Sequence, residues 1–358
     1  MSDISIQSRL LRDLEPVVAK ELERHLATQK DWYPHEYVPW SEGRTFAGPL
    51  NGDAWEAKDS KLSSIAQDSL VLNLLTEDNL PSYHTEITLS MSQDGAWNNW
   101  INRWTAEEAR HGIVMRDYLM ATRGVDPHEL EDLRMAHMQI GYKTPYENDM
   151  LHTVAYVTFQ ELATRISHRN TGKISNDPIC EQMLARVALD ENLHMLFYRN
   201  TLGAAIDLEP NAAMRAIADV LVHFKMPGHE MPGFGRKSVQ IALAGIYDLP
   251  QHLEDVVAPV LRAWKIFERE DFTGDGAAAR DELAAFLASS NADAAKFIEK
   301  REAHFDRLIQ PRGSRRRTPA RPARPPCSRT PGRRRPRGPC GRRGPAACRP
   351  CAPRRGIR

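Results

Sequence analysis

One pattern occurs twice in this chain: a lone Glu is followed, about thirty residues later, by Glu-x-x-His. The two intervals are 31 and 30 residues, and Glu-x-x-His occurs nowhere else in the sequence. Because positions i and i+3 lie on one face of a helix, each pair directs a carboxylate and an imidazole toward one spot. The pattern predicts two similar helical hairpins within residues 60–207, with converging side chains of Glu77, Glu108, His111, Glu161, Glu191 and His194.

Four carboxylates and two imidazoles from four helices are the ligand set of a dinuclear metal centre in a ferritin-like bundle. Without cations, four buried carboxylates would destabilise the fold severely. Two divalent ions would bring four positive charges and leave a nearly neutral site if both imidazoles are neutral. Mixed carboxylate and imidazole ligands suit iron or manganese better than zinc. A single Glu-x-x-His is more often an exposed helix pair, but two copies at nearly equal spacing favour a metal centre.

Histidines outside this pattern are predicted not to bind the metal. Asp149-x-x-His152 is similar to the pattern, but His152 lies nine residues before Glu161. That separation is about 13 Å along one helix, at about 1.5 Å per residue. We interpret Asp149 and His152 as helix surface near a helix start. The histidines that lack any such partner are His25, His35, His84, His128, His137, His223, His229, His252 and His304.

Apolar periodicity predicts an all-α body, since strand-like alternation is scarce. An amphipathic helix is predicted over residues 7–27, followed by an aromatic and Pro-rich connector over 32–40. The predicted four-helix core covers residues 61–92, 96–123, 148–169 and 177–206, with a longer crossing over 124–147. Additional C-terminal helices are predicted near 210–225, 236–247, 252–268 and 277–307.

The charge is divided unevenly along the chain. The whole chain carries +1, but residues 311–358 hold 17 Arg and no Lys or acidic residue, so residues 1–310 carry −16. An acidic body argues against general binding of nucleic acid by that body. The sequence shows no signal peptide and no apolar run of membrane-spanning length. Cys180 is the single body cysteine, which fits a reducing cytoplasm.

We therefore predict a helical domain over residues 1–310 and a separate tail over 311–358. The tail holds 11 of the 24 prolines and no Phe, Tyr or Trp, so it cannot build a core. It is typical of GC-rich DNA translated in a shifted frame. A disordered basic tail is the second interpretation, and half of a zinc site at Cys348-x-x-Cys351 is the third.

Four segments carry a resemblance to a known family. Residues 76–83, 104–112, 159–168 and 190–194 read TEDNLPSY, WTAEEARHG, FQELATRISH and DENLH. They resemble, in family order, the signature segments of the soluble acyl-[acyl-carrier-protein] desaturases, most closely the actinobacterial branch. The similarity extends from about residue 7 to about residue 305. The tail has no counterpart in that family.

The resemblance implies two iron ions per subunit, held by the six residues of the repeated pattern, with Glu108 and Glu191 bridging. It implies that Thr164 borders the face that binds oxygen. It also implies a hydrogen-bonded chain from Trp32 through Asp190 to His111. Such outer partners fix the orientation of a ligand imidazole. A homodimer is expected as well.

The implied reaction forms a cis double bond in a saturated fatty acyl chain on acyl carrier protein. It uses O₂ and two electrons from a ferredoxin-type donor. Because acyl carrier proteins are acidic, docking to an acidic body requires a local basic patch, for which Lys225, Arg236 and Lys237 are candidates. Three alternatives remain: a catalytically inactive carrier-protein binder, a ribonucleotide reductase radical subunit with a Tyr beside its iron, and a ferritin-type iron store.

Overall fold

The structure is a computed structural model that describes residues 3–309 apart from Glu147 and Pro232. Its first helices are α1 (Asp3–Asp13), α2 (Glu15–Thr28), α3 (Ser64–Asp78), α4 (Leu80–Ser90), α5 (Gly95–Ala121), α6 (Pro127–Ile140) and α7 (Met150–Ser175). They are followed by α8 (Pro178–Leu208), α9 (Pro210–Val222), α10 (Phe234–Leu243), α11 (Leu249–Gln251), a π-helical turn (His252–Val257), α12 (Ala258–Ala263) and α13 (Gly274–Ile309). Short 3₁₀ turns cover Pro34–Tyr37, Trp40–Glu42 and Ala57–Asp59.

Helices α3, α5, α7 and α8 form the predicted four-helix core, and the sequence sets where they begin. Ser63 accepts a hydrogen bond from the amide of Ala66 at the start of α3. Asp149 caps α7, and Asp177 caps α8 with Pro178 at the first helical position. Short polar caps of this kind satisfy amides that have no partner inside the helix. The all-α prediction is confirmed, because the described residues hold only an isolated bridge between Phe46 and Asp53.

Several predicted helix boundaries were wrong, three of them near a proline. The predicted helix 61–92 is two helices, since α3 ends at Asp78 and α4 starts at Leu80. Pro81 has no amide hydrogen to donate to the preceding turn, which favours the break. The predicted crossing 124–147 contains α6, where Pro127 starts a helix that Asp126 caps. Likewise the predicted helix 7–27 divides at Leu14, and the one at 252–268 ends at Ala263.

Two apolar clusters enclose a polar layer in the middle of the bundle. The first contains Trp97, Trp100 and Trp104 of α5 together with the later part of α8. The second contains Val114 and Met115 of α5 together with the early part of α8 and most of α3. Residues 107–111 of α5 and 190–194 of α8 lie between these clusters along their helices. Water is therefore excluded from above and below the layer that carries the repeated pattern.

The predicted tail over 311–358 lies outside the described residues, so its three interpretations stay predictions. None of the helices in the described part of the chain combines the length and apolar character that a membrane crossing requires.

Candidate metal centre

The six predicted ligands meet at the centre of the bundle, one or two from each core helix. Helix α3 contributes Glu77, α5 contributes Glu108 and His111, α7 contributes Glu161, and α8 contributes Glu191 and His194. All six are buried. They form two groups in which one ligand atom from each residue lies within 4.8 Å of the others: Glu77, Glu108, His111 and Glu191, and Glu108, Glu161, Glu191 and His194.

Glu108 and Glu191 belong to both groups, as two bridging carboxylates would. Each imidazole points its Nδ1 inward. His111 Nδ1 lies 3.2 Å from Glu191 and 3.5 Å from Glu108. His194 Nδ1 lies 2.7 Å from Glu108 and 3.4 Å from Glu161. The two copies of the pattern therefore form two adjoining positions, each with one imidazole and one carboxylate of its own.

The inward atoms fit a pair of metal ions. Five buried atoms at this centre make no hydrogen bond with any described residue: Glu108 Oε1, His111 Nδ1, Glu161 Oε2, Glu191 Oε1 and His194 Nδ1. Buried polar atoms without partners are unfavourable. Coordination of cations would satisfy all five at once, and their oxygen and nitrogen types suit a first-row transition metal.

Protons balance part of the charge in the metal-free centre. Burial, with the neighbouring charges of Glu108 and Glu191, raises the pKa of Glu161 well above its ordinary value. Burial opposes protonation of the imidazoles, but the carboxylates around them raise the pKa of His111 and of His194 well above normal. The metal-free centre therefore favours protons on the two imidazoles and on Glu161 more strongly than water does. Metal ions must displace these protons to bind.

Each inward imidazole is held from outside by a carboxylate on the other hairpin. His111 Nε2 lies 3.4 Å from Asp190 Oδ2 on α8. Trp32 Nε1 donates to the same oxygen at 2.7 Å, so the predicted contacts among these three residues are present. His194 Nε2 lies 2.9 Å from Glu107 Oε2 on α5. Glu107 and Asp190 each directly precede a Glu that both groups share. We call the Asp190–His111 contact the His111 arm and the Glu107–His194 contact the His194 arm, and the repeat relates the two.

Several residues at the centre were missed by the sequence analysis. Besides Glu107, His25 is wholly buried and hydrogen-bonded to Glu107 at 2.9 Å, although it had been set aside. His168 Nε2 donates to Glu77 at 3.2 Å, and Trp104 Nε1 donates to Glu161 at 3.0 Å. The one available signal was an acidic residue before Glu108 and before Glu191, which occurs in both copies of the pattern.

The remaining sequence predictions near the centre have clear positions. Thr164 is buried, and its hydroxyl lies 3.1 Å from Glu191 Oε2. Asp149 caps α7 and accepts from the amide of His152. The ring of His152 contacts Asp219 of α9 at 3.3 Å. His152 is therefore part of an ion-paired helix start and lies outside both metal groups, as predicted.

A narrow cavity of about 40 Å³ adjoins the centre. Glu77, Glu108 and Trp104 form part of its wall, which ties it directly to the predicted ligands. Its lining is otherwise mainly aliphatic and aromatic, with Leu80, Tyr83 and Ile87 of α4, Tyr156 and Val157 of α7, and Tyr142. A narrow cavity with such a lining suits a slender apolar group beside the predicted ligands.

The candidate docking residues lie beyond α9. Lys225 and Arg236 are exposed, and neither forms an ion pair with any described residue. Lys237 forms an ion pair with Asp68 at 2.9 Å. Pro227, two residues after Lys225, lines the cavity. Two of the three cations are therefore available, and Lys225 lies close in sequence to the cavity wall.

Comparison with known proteins identifies the family. A family model described as fatty acid desaturase matches residues 7–308. The chain belongs to the fatty acid desaturase family. This family consists of oxidoreductases, so the predicted enzyme class and the resemblance on which it rests are confirmed.

This desaturase is similar to proteins from bacteria and plants. It is 53% identical to the acyl-[acyl-carrier-protein] desaturase DesA1 of Mycobacterium tuberculosis over 84% of this chain and 90% of that protein. It is 31% identical to the stearoyl-[acyl-carrier-protein] 9-desaturase 6 of Arabidopsis thaliana over 59% of this chain and 58% of that one. The X-ray structure of DesA2 from M. tuberculosis matches with a TM-score of 0.63 and 29% identity, covering 78% of this chain and 99% of that chain. This likeness confirms the ferritin-like helical fold.

Removing a predicted ligand should remove metal. We expect the wild-type desaturase to hold about two metal ions per chain, since two positions share two carboxylates. Glu161→Ala and His194→Ala should each lower that number, as measured by elemental analysis of protein purified without chelator. His152→Ala is the matched control, because it removes a partly buried His of the same bundle outside both groups. Full metal content in Glu161→Ala and His194→Ala would contradict the ligand assignment.

Metal uptake should release protons. In the metal-free desaturase the raised pKa values of His111, His194 and Glu161 favour protons on the inward atoms. Protons and metal ions compete for the same atoms, and the raised pKa values extend this competition to higher pH. Metal affinity should therefore rise between pH 6 and pH 8. Anaerobic calorimetric titration with Fe²⁺ in buffers of different ionisation enthalpy measures the number of protons released. Heats that do not depend on the buffer would show that no protons leave the site.

Proposed function

We propose that this chain is an O₂-dependent desaturase that introduces a cis double bond into a saturated fatty acyl chain carried by acyl carrier protein. Two iron ions per chain would be held by the six residues of the repeated pattern, with Glu108 and Glu191 bridging. The observation that carries this proposal is the adjacency of two metal-ligating groups to a narrow cavity with a mainly apolar lining. The names of the relatives, which include acyl-carrier-protein desaturases from two kingdoms, support the choice of carrier.

When bound, the iron would supply the oxidising power of O₂. The overall reaction removes one hydrogen from each of two adjacent methylenes and leaves a carbon–carbon double bond. With two further electrons and two protons from outside, O₂ becomes two molecules of water. Two electrons therefore come from the acyl chain, and a ferredoxin-type donor supplies the other two.

The protein's own residues position the acyl chain. An unactivated methylene has no polar group that a side chain could recognise, so the shape of the cavity must select the reacting carbons. Leu80 and Ile87 from α4 and Val157 from α7 provide apolar walls for such a chain. Glu77 and Glu108 line the same cavity. Methylenes held beside these two carboxylates would therefore lie next to the metal positions, with water excluded.

Thr164 offers a hydroxyl at the centre without being a predicted ligand. Its Oγ1 is within hydrogen-bonding distance of the carbonyl of Glu161 at 3.0 Å and of Glu191 Oε2 at 3.1 Å. One hydroxyl proton can serve only one of these acceptors at a time. We assign Thr164 to the oxygen-binding side of the centre, where its hydroxyl would hold a proton close to the reacting oxygen atoms.

Carrier docking would use the exposed cations near the cavity. Lys225 and Arg236 have no acidic partner among the described residues and so remain available to an acidic protein. Lys237 contributes less, because Asp68 already compensates its charge. We also propose a ferredoxin-type electron donor and a homodimeric assembly, both of which come from the family resemblance.

A radical subunit of ribonucleotide reductase type has one feature in its favour. Tyr198 is buried, and its hydroxyl has no hydrogen-bond partner among the described residues. Burial raises its pKa well above normal. A sharp tyrosyl radical absorbance after exposure of the reduced iron protein to O₂ would support that alternative. The family match favours the desaturase.

Removing the Thr164 hydroxyl should separate oxygen use from desaturation. Thr164→Ala keeps all six predicted ligands, so iron content should stay normal while O₂ consumption per double bond rises. Thr164→Ser is the matched control, because it restores the hydroxyl and should restore the coupling. The two quantities are measured with an oxygen electrode and by mass spectrometry of the acyl product. If O₂ consumption per double bond is unchanged in Thr164→Ala, Thr164 has only a structural role in α7.

The rate of desaturation should depend on whether acyl carrier protein or coenzyme A carries the acyl chain. A saturated acyl chain on acyl carrier protein should be desaturated with reduced ferredoxin and O₂, and the same chain on coenzyme A should react far more slowly. The methylenes that react are remote from the thioester, so contacts with the carrier contribute much of the positioning energy. Added salt should slow the carrier-bound reaction, since docking is electrostatic. Product formation is measured by mass spectrometry.

Charge reversal tests the docking surface. Lys225→Glu and Arg236→Glu should raise KM for the carrier-bound chain, whereas Lys296→Glu, an exposed change on α13, should not. Equal rates on both carriers would exclude the docking argument. Absence of product from every carrier-bound chain, with full iron and an active donor, would favour the inactive carrier-protein binder.

A further inference from the structure

The imidazole of His194 has an outer partner that none of the roles above explains. Its Nε2 lies 2.9 Å from Glu107 Oε2, and a carboxylate at that distance can only accept. Glu107 is on α5, is 2% exposed and does not face the two metal groups that share Glu108 and Glu191. The contact thus joins α5 to a predicted ligand on α8, across the bundle.

Glu107 is itself held by residues from a third helix. His25 of α2 places its Nε2 2.9 Å from the same oxygen, Oε2. Arg103 donates through Nε to the other oxygen, Oε1, at 2.5 Å. The carboxylate therefore accepts hydrogen bonds on both oxygens, from His194 and His25 on one and from Arg103 on the other.

The rings around His194 are fixed as well. His25 and His194 stack with ring centroids 5.8 Å apart and an interplanar angle of 22°. Trp100 packs edge-on against both rings, at 5.1 Å from His25 and 6.0 Å from His194. His25 and Trp100 are wholly buried. The plane of the His194 ring is therefore set by stacking, while its rotation within that plane is set by the bond to Glu107.

We infer that Glu107 and His25 form a positioning pair for His194. Glu107 accepts the Nε2 hydrogen of His194, which leaves the Nδ1 lone pair directed at the position shared with Glu108, Glu161 and Glu191. His25 holds Glu107 in place by donating to the same carboxylate oxygen. This inference rests on the metal centre of the proposed function. It implies that each arm orients the ligand imidazole of one metal position only.

The two arms differ in their outer members, which makes the inference specific. On the other side, Asp190 faces His111 and accepts from Trp32, with Arg186 also bound to Asp190. Both arms include a guanidinium, but the His111 arm ends in the indole of Trp32, while the His194 arm ends in the imidazole of His25. Substitution of Glu107 or His25 should therefore lower metal affinity at the position that contains His194. Substitution of Asp190 should lower metal affinity at the position that contains His111.

One rival explanation uses the same atoms. His25, Glu107 and His194 offer three ligand atoms within 4.8 Å of one another, so they could hold a third metal ion. The donation from Arg103 argues against this, because a guanidinium already compensates the Glu107 charge. His194 would also have to bind metal through both ring nitrogens at once. A count of metal ions per chain separates the two explanations.

The test compares the two arms in the full-length protein. Glu107→Gln keeps the shape of the side chain but offers an amide in place of an anion, and His25→Phe keeps a stacked ring but removes the donor. Asp190→Asn is the matched change on the other arm. Each variant is titrated anaerobically with Fe²⁺ and examined by Mössbauer spectroscopy of ⁵⁷Fe, which reports the two iron positions separately.

In Glu107→Gln we expect the affinity of one position to fall about 10–100-fold, with an altered spectrum for that iron alone. His25→Phe should produce a smaller change at the same position, and Asp190→Asn a change at the other one. Circular dichroism of the metal-free variants checks folding. If Glu107→Gln does not fold, His25→Phe carries the test, because it leaves the carboxylate in place.

Unchanged affinity and spectra in Glu107→Gln and His25→Phe would overturn the inference and leave the metal centre intact. Three iron ions in wild type, with one lost in both variants, would overturn it in favour of a third metal site. Wild-type protein that binds no pair of iron ions would instead overturn the proposed function, and the positioning pair with it.

Discussion

The burial of four carboxylates among apolar helices is the constraint on which the rest of this structure depends. Glu77, Glu108, Glu161 and Glu191 lie between two hydrophobic clusters, where isolated charge is severely unfavourable. The bundle compensates for them with inward imidazoles and with protons at inward atoms, and it leaves five atoms without hydrogen bonds. A bundle of this kind gains stability when cations enter, so metal binding and folding reinforce each other.

Two side-chain contacts between α5 and α8 fix the alignment of these helices at the metal centre. Glu107 of α5 holds His194 of α8, and Asp190 of α8 holds His111 of α5. Each hairpin thus orients the imidazole of the other, and a shift of one helix along its neighbour would break both contacts together. This arrangement explains why the acidic residue before the shared Glu occurs in both copies of the repeat.

Sequence reasoning predicted the parts of the centre that depend on helical periodicity. Glu108 and His111 share a helix face because they are three residues apart, and the repeat spacing placed Glu77 opposite them. His25 and Trp104 could not be predicted in the same way, since their partners lie on other helices at no fixed spacing. The helix boundary failed at Pro127 because a proline in the first turn of a helix also resembles a breaker. At Pro81 the opposite error occurred, since one continuous helix was predicted through the proline.

The interruption between α3 and α4 places the predicted metal ligand and the cavity lining on two different helices. Glu77, one residue before the end of α3, lies at the metal centre, while Leu80, Tyr83 and Ile87 of α4 line the cavity. Asn79 fixes the interruption, since its side chain donates to the carbonyl of Gly141 and accepts from the hydroxyl of Ser82. Substitutions on the cavity face of α4 can therefore change the depth of the cavity without turning Glu77. Related proteins built on this plan could diverge in the acyl chains they accept while keeping one oxidising centre.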